Sequence, residues 1–298
     1  MSYHKILTIQ DISCVGQCSL TVALPILSAA GQETCILPSA VLSTHTAGFT
    51  GYTVRDLTED IPAITDHWEK ENIKFDAVYT GYLGSTEQIA YVRDIIRRLS
   101  APGALAIVDP AMADNGKLYP AFDGAYVEAM KELAFSADII LPNITEACFL
   151  TGMEYRESYD EAYIGALLDR LTAAGAKTVV LTGVGYAPDR TGVLVQEQGQ
   201  RRYYEHRKLF PGSHGTGDVY AAAFVGALFC ILAFIMIIFI IVRKMIFDDP
   251  VSGWPSLVCI ILMTSGVQFF CTGILGQYLA KTYLEVKNRP IYIAKEEG

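Results

Sequence analysis

The sequence lacks an excess of positive charge: 23 Lys and Arg stand against 32 Asp and Glu, for a formal net charge of −9. An acidic chain is not drawn to a phosphate backbone, so nucleic acid is excluded as an expected partner. Paired cysteines are also lacking. Seven are spread over positions 14, 18, 35, 148, 230, 259 and 271, none in a Cys-x-x-Cys pair. An odd, scattered set predicts buried free thiols in a reducing cytosol. The opening Met1-Ser2-Tyr3-His4-Lys5-Ile6-Leu7 has no apolar signal core, so the first domain is expected to stay in the cytoplasm.

What is present is unevenly distributed. Mean hydropathy is +0.30, high for a soluble enzyme, and the excess falls after Ala221. Before that point short apolar runs alternate with amphipathic stretches. The runs predict strands at Lys5–Ile9, Thr34–Leu37, Ala77–Thr80, Leu105–Val108, Ile139–Pro142 and Thr178–Leu181. Helical patterns lie between most of them, at Leu20–Ala30, Glu87–Leu99, Tyr126–Phe135 and Asp160–Ala174. This alternation predicts an α/β fold, a mostly parallel sheet with helices on both faces. Gly192–Gln196 and Arg201–His206, on either side of Gln198-Gly199, predict a hairpin at the sheet's edge.

Ligands of such sheets collect beyond the carboxyl ends of the strands, and the chemistry-bearing residues fall there. His214-Gly215-Thr216-Gly217-Asp218 precedes a helical stretch. Two glycines let successive N–H groups converge, and a helix start adds its positive end, making an anion hole. Asp218 is then placed to take a proton from a hydroxyl while the hole holds a phosphoryl group's charge. An ordinary loop with an N-capping Asp fits these residues equally. Asp109 ends one strand in Val108-Asp109-Pro110-Ala111-Met112. Asn143 and Glu146, three residues apart, follow the next and open a helix. Oxygen ligands at strand ends are what ATP-dependent phosphoryl transfer needs to hold Mg²⁺ against phosphates.

Asn143-x-x-Glu146 and Gly215-Thr216-Gly217-Asp218 resemble the paired signatures of the ribokinase-like superfamily. Asp109–Tyr119, Ser43-Thr44-His45-Thr46 and Gly81-Tyr82-Leu83-Gly84 resemble segments of the pyridoxal kinases, over roughly three quarters of the chain. The resemblance implies a ribokinase-like kinase with ATP and Mg²⁺ that phosphorylates the 5′-hydroxymethyl of pyridoxal, pyridoxine or pyridoxamine. Asp218 becomes the general base, with Gly215, Thr216 and Gly217 as the anion hole. Asp109, Asn143 and Glu146 attend the metal, and Asp109, Glu146 and Thr182 the nucleotide. Thr46 and Tyr82 line the vitamer pocket. Asp11 stands where many relatives carry a pyridine-contacting Ser, and would pair with a protonated ring nitrogen or an amine. Hydroxymethylpyrimidine kinase is the second reading, its site being built alike. A homodimer through the kinase domain is also compatible with the family.

Beyond residue 228 the pattern changes. Phe229–Val242 and Leu257–Leu279 carry no charge, and a membrane helix needs about 20 apolar residues. With the stretch Gly276–Ile293 they are similar to the C-terminal membrane hairpin of bacterial family 2 glycosyltransferases, without that family's Asp-x-Asp catalytic domain. The expectation is therefore a kinase-like domain over 1–228 and, over 229–298, a two-helix transmembrane hairpin with a cytoplasmic tail, inserted through residues 229–279 in the cytoplasmic membrane. Pyridoxal kinases normally continue with further helices after the Asp218 helix, and these are expected to be missing. Gene fusion, deletion and an error of sequence assembly remain open explanations, as does an inactive membrane-tethered fragment.

Overall fold

The computed structural model describes residues 4–208, apart from 17, 47 and 48, and scattered helical positions between 220 and 242. The chain divides into two units, Met1–Phe234 and Ile235–Gly298, and nearly all described residues belong to the first. In chain order this unit runs β1 (Lys5–Ser13), α1 (Leu20–Ala29), β2 (Glu33–Leu42), β3 (Val54–Asp56), α2 (Asp60–Lys70), β4 (Phe75–Thr80), α3 (Thr86–Leu99) and β5 (Ser100–Val108). A small hairpin follows, β6 (Ala113–Asp114) and β7 (Lys117–Leu118), then α4 (Gly124–Ser136), β8 (Ile139–Ile140), α5 (Ile144–Thr151) and α6 (Glu161–Ala173). Strands β9 (Thr178–Val184), β10 (Arg190–Glu197) and β11 (Gln200–Arg207) complete it.

Nine strands form one sheet in the order β11-β10-β9-β8-β5-β4-β1-β2-β3. The six from β9 to β2 are parallel, and the outer strands β3, β10 and β11 run antiparallel. Every strand expected from the sequence is present, including the edge hairpin. Its two-residue turn places Gln198 at φ 48° and Gly199 at φ 78°, the left-handed pair that suits the twist of a tight hairpin. Strand β8 is shorter than expected because Pro142 has no N–H to offer. The pairing still extends past it, with Leu141 N donating to Val108 O and Thr182 N to Pro142 O, both at 2.9 Å.

Helix α2 and strands β3, β6 and β7 escape the sequence pattern. Helix α2 buries only Ile61 and Thr65 among charged neighbours, and β3 is three exposed residues. Neither presents enough apolar surface to show a period.

Alternation along the strands supplies two cores. Leu7, Ile9, Val78, Val108, Val179 and Leu181 face a large cluster with the inner sides of α2 to α6. Ile6, Ala77, Tyr79, Ile107 and Val180 face the opposite side, covered by Ala23 and Leu27 of α1 and by Tyr220, Ala221, Phe224 and Leu228. The spacing of those last four is that of one helix face.

The thiol expectation needs correction. Of the four cysteines described, none is in a disulfide and only Cys148 is buried; Cys18 and Cys35 are half-buried and Cys14 is exposed, because Cys14 and Cys18 lie on the loop after β1 and Cys35 on β2 near its start. Among the described residues no helix is long and apolar enough to cross a membrane. The spans 229–242 and 257–279 fall almost wholly outside the described residues.

Strands β10 and β11 approach closely at Gly192, where an added Cβ would lie 2.2 Å from Tyr204 O and 2.8 Å from Glu205 Cα. Both are backbone atoms of a paired strand, so the neighbour cannot rotate away. Gly192→Ala is expected to lower unfolding free energy by about 1–3 kcal/mol, read from the denaturant midpoint. An unchanged midpoint would mean that β11 shifts at no cost.

Candidate active site

Strand β1 lies between β2 and β4, and the chain fills the sheet outward in both directions from it. The C-terminal ends of β1 and β4 thus flank the switch point, where an open α/β sheet forms its ligand crevice. The expected site residues form two groups, one at the ends of β1, β4 and β2 and one at the ends of β5, β8 and β9.

The first group is Asp11, Tyr82 and Thr46. Asp11 lies two residues before the end of β1 and is 4% exposed. Its Oδ2 accepts a hydrogen bond from Ser13 Oγ at 3.0 Å. Burial raises its pKa above the ordinary carboxylate value, and hydroxyl donation from Ser19 and Ser13 opposes that rise. Ser19 is the N-cap of α1, yet its side chain does not cap the helix, and its backbone is held at φ 53°. The hydroxyl that would satisfy the helix end serves the carboxylate instead. Tyr82 follows β4. Burial, and then the nearby charge of Asp11, push its phenol up to about 12. Its ring lies 5.5 Å from that of Phe122, which stacks on Tyr126 at 3.7 Å. Thr46 is exposed on the loop after β2. That loop meets the one after β1, where His45 N donates to Val15 O at 3.2 Å.

The second group is Asp109, Asn143, Glu146 and Thr182. Asp109 follows β5, with its amide donating to Thr80 O at 3.0 Å, and is 9% exposed. Asn143 caps α5 and forms a reciprocal capping box with Glu146. Its Oδ1 accepts from Glu146 N at 2.9 Å, and Glu146 Oε2 accepts from Asn143 N at 2.8 Å. Glu146 Oε1 accepts from Met112 N at 3.2 Å, and Asn143 Nδ2 donates to Ala113 O at 2.9 Å. These bonds fasten the segment after β5 to the start of α5. Burial, followed by repulsion from Asp109, drives the Glu146 pKa well above the ordinary range, while amide donation from Asn143, Met112 and Ala113 pulls it down. Two carboxylates crowded at a strand end form a donor set that a divalent cation would relieve, so the residues fit an oxygen-bound metal. Asp109 is the more exposed of the pair. Thr182 lies on β9 and donates from Oγ1 to Pro142 O at 3.3 Å, beside Gly183, at φ 75°. Asp218 and Gly215–Gly217 lie outside the described residues.

Sequence reasoning missed Ser13, Ser19 and Gln88. Ser19 carries the signal of an N-cap and nothing that links it to Asp11. Gln88 sits in the first turn of a charged helix, where no pattern announces its complete burial.

A parallel sheet with this strand order, carboxylates at its C-terminal ends and helices on both faces defines a ribokinase-like α/β fold. The phosphomethylpyrimidine kinase family matches residues 30–233, well over half of the chain, and the chain belongs to that family. A Bacteroides thetaiotaomicron protein described as a phosphomethylpyrimidine kinase, crystallised with pyridoxal, is 38% identical with a TM-score of 0.72, over 76% of this chain and 81% of that one. The pyridoxal kinase of Lactobacillus plantarum is 36% identical with a TM-score of 0.70, over 76% of this chain and 81% of that one. A separate stretch of 84 residues is 40% identical to the SfII prophage-derived bactoprenol glucosyl transferase of Shigella flexneri. The match covers 28% of this chain and only 27% of that protein.

Asp11 supplies a test of the site's electrostatics. Its folded pKa lies above the unfolded one, so the folded state holds the proton more tightly. Its contribution to stability therefore falls as pH rises from about the unfolded value toward the raised folded value. Asp11→Asn keeps the shape and an acceptor for Ser13 but cannot ionise. The thermal midpoint of the variant relative to the parent is expected to climb with pH across that window, each unit of elevation corresponding to about 1.4 kcal/mol. A pH-independent difference would mean that the carboxyl is not buried in solution.

Proposed function

We propose that this chain is an ATP-dependent kinase for the 5′-hydroxymethyl group of a B6 vitamer. The observation that carries the reading is the juxtaposition of Asp11 and Tyr82 at the switch point, across from Asp109 and Glu146. One half offers a polar, partly aromatic wall to a small heteroaromatic ring, and the other offers carboxylates for a metal–nucleotide complex. The likeness to the Lactobacillus plantarum pyridoxal kinase supports the vitamer as substrate.

In this reading Asp218 accepts the proton of the vitamer's hydroxyl. The hydroxyl oxygen then forms its bond to the γ-phosphorus as the bond to the leaving ADP oxygen breaks. The amides of Gly215, Thr216 and Gly217 hold the phosphoryl oxygens through that transfer. Mg²⁺, when bound, neutralises the phosphates' charge and orients them. Asp109, Asn143 and Glu146 would attend it, and Asn143 and Glu146 also hold the segment that follows Asp109. Thr182 meets the nucleotide, and Thr46 closes the vitamer side. Asp11, ringed by Ser13 and Ser19 hydroxyls, receives a protonated ring nitrogen or an amine. Hydroxymethylpyrimidine kinase is the second reading, and the family match over residues 30–233 is what favours it.

Phosphate transfer assayed against pyridoxal, pyridoxamine and hydroxymethylpyrimidine separates the two. Turnover of a vitamer above the pyrimidine is expected, and the opposite preference overturns the assignment. Turnover is expected to be weak, because the helices that in pyridoxal kinases follow the Asp218 helix are replaced here by the apolar stretch after residue 228. In the same assay Asp218→Asn should lower the rate by about 10²–10⁴-fold while ATP binding survives. A rate within a few-fold of the parent removes Asp218 from the base role.

The same proposal makes residues 229–279 a membrane hairpin that holds the kinase domain at the cytoplasmic face. Ile231 and Phe234 are exposed apolar side chains, and they lie in the stretch 229–242, which carries no charge at any position. The full chain should sediment with membranes and resist salt and alkaline carbonate, and deletion of residues 229–298 should release it. Release of the full chain by salt alone counts against the hairpin.

A further inference from the structure

The turn that carries Tyr82 is held from several sides by groups that never reach the pocket. Gln88 lies in the first turn of α3, where Ser85-Thr86-Glu87-Gln88 has the spacing of a capping box. Such a box would return the Gln side chain to the amide of Ser85. Only half of it forms: Gln88 N donates to Ser85 Oγ at 3.2 Å. The carboxamide, fully buried, goes elsewhere. Its Oε1 accepts from Gly84 N at 2.7 Å. Its Nε2 donates to Ser39 O on β2 at 3.0 Å and to Thr58 Oγ1 at 2.8 Å, with Asp56 Oδ1 of β3 at 3.4 Å. Two further ties act on the same turn. Ser39 Oγ donates to Tyr82 O at 3.1 Å, and Tyr126 OH donates to Leu83 O at 2.7 Å.

The far end of this network is equally specific. Strands β2 and β3 bracket the loop that carries Thr46, and the loop's base is closed by Ser43 N to Thr53 O at 3.0 Å and Thr53 N to Ser43 Oγ at 2.9 Å. Gln88 therefore bonds at once to the turn bearing Tyr82 and to the strand pair that launches the Thr46 loop. A helix cap needs none of these cross-links. Burying a carboxamide carries a desolvation cost that only a full set of partners offsets, and each partner here lies on one of the two lips of the pocket.

We propose that Gln88 is a positioning residue that sets the spacing between the Tyr82 turn and the β2–β3 edge, and through it the fit of the ring-bearing substrate. The proposal rests on the substrate reading above. Because none of the Gln88 side-chain bonds reaches Asp109, Asn143, Glu146 or Thr182, its loss acts on one substrate and spares the other.

The test uses the full chain with Gln88→Met, which keeps length and loses every side-chain hydrogen bond, and Thr58→Val, which keeps shape and removes the hydroxyl that accepts from Gln88 and donates to Asp56. Gln88→Met is expected to raise the KM for pyridoxal about tenfold and Thr58→Val about threefold, with the KM for ATP within about twofold of the parent in both. A pyridoxal KM that stays put, or both KM values rising in step, overturns the proposal. If Gln88→Met does not fold, Thr58→Val decides by the same criterion. If the parent prefers hydroxymethylpyrimidine, the substrate reading fails, and the same split read with the pyrimidine decides the role of Gln88. If the parent transfers phosphate to neither, hydrogen exchange at the Gly84 amide decides. Faster exchange there, with β9 unchanged, supports the clamp, and an unchanged Gly84 rate overturns it.

Discussion

Glu146 is a carboxylate with almost no access to water whose oxygens are engaged by backbone amides from two different strand exits. Met112 belongs to the segment leaving β5, and Asn143 to the segment leaving β8. A buried charge is tolerated only where donors surround it, and here the donors are the free N–H groups that a helix start and a tight turn leave over. The result is a rigid corner. Asp109 hangs from one arm of it and Thr182 is bonded to the other through Pro142. Repulsion from Asp109 adds to burial in raising the Glu146 pKa at that corner, and a divalent cation bound there would offset it.

The other carboxylate follows a similar rule with different groups. Asp11 is also buried, but besides its own amide it is attended chiefly by hydroxyls, and one of them is taken from a helix N-cap held in a left-handed conformation. Such local strain persists only where surrounding structure enforces it. The two carboxylates thus differ in kind. Glu146 is woven into the backbone and ties the exits of β5 and β8 together, whereas Asp11 is attended mainly by side chains.

Helix cover is unequal between the two faces of the sheet. Five helices pack the face that holds the larger core, while the other relies on α1 and on the helical residues Tyr220, Ala221, Phe224 and Leu228. Ala221 is buried against the sheet, whereas Ile231 and Phe234 are exposed apolar side chains. The change falls close to the position at which the sequence composition shifts.

The sequence by itself determined the class of fold, because period-two apolar runs alternating with amphipathic stretches leave few arrangements besides a covered parallel sheet. It also determined the positions of Asp109, Asn143 and Glu146 at strand ends, since strand exits and helix starts are written locally in proline, asparagine and apolar spacing. The short edge strand β3 and the charged helix α2 were not legible, because neither buries enough to impose a period. Partnerships across the chain were beyond it altogether. That Ser19 serves Asp11 depends on the path of the loop after β1, and that Gln88 leaves its own helix cap to join Ser39 and Thr58 depends on strand order, which brings residues 49 and 30 positions apart into hydrogen-bonding distance. Local propensity encodes which element forms. Only the packed sheet decides which buried polar group finds which partner, because burial is what makes each unpaired group costly.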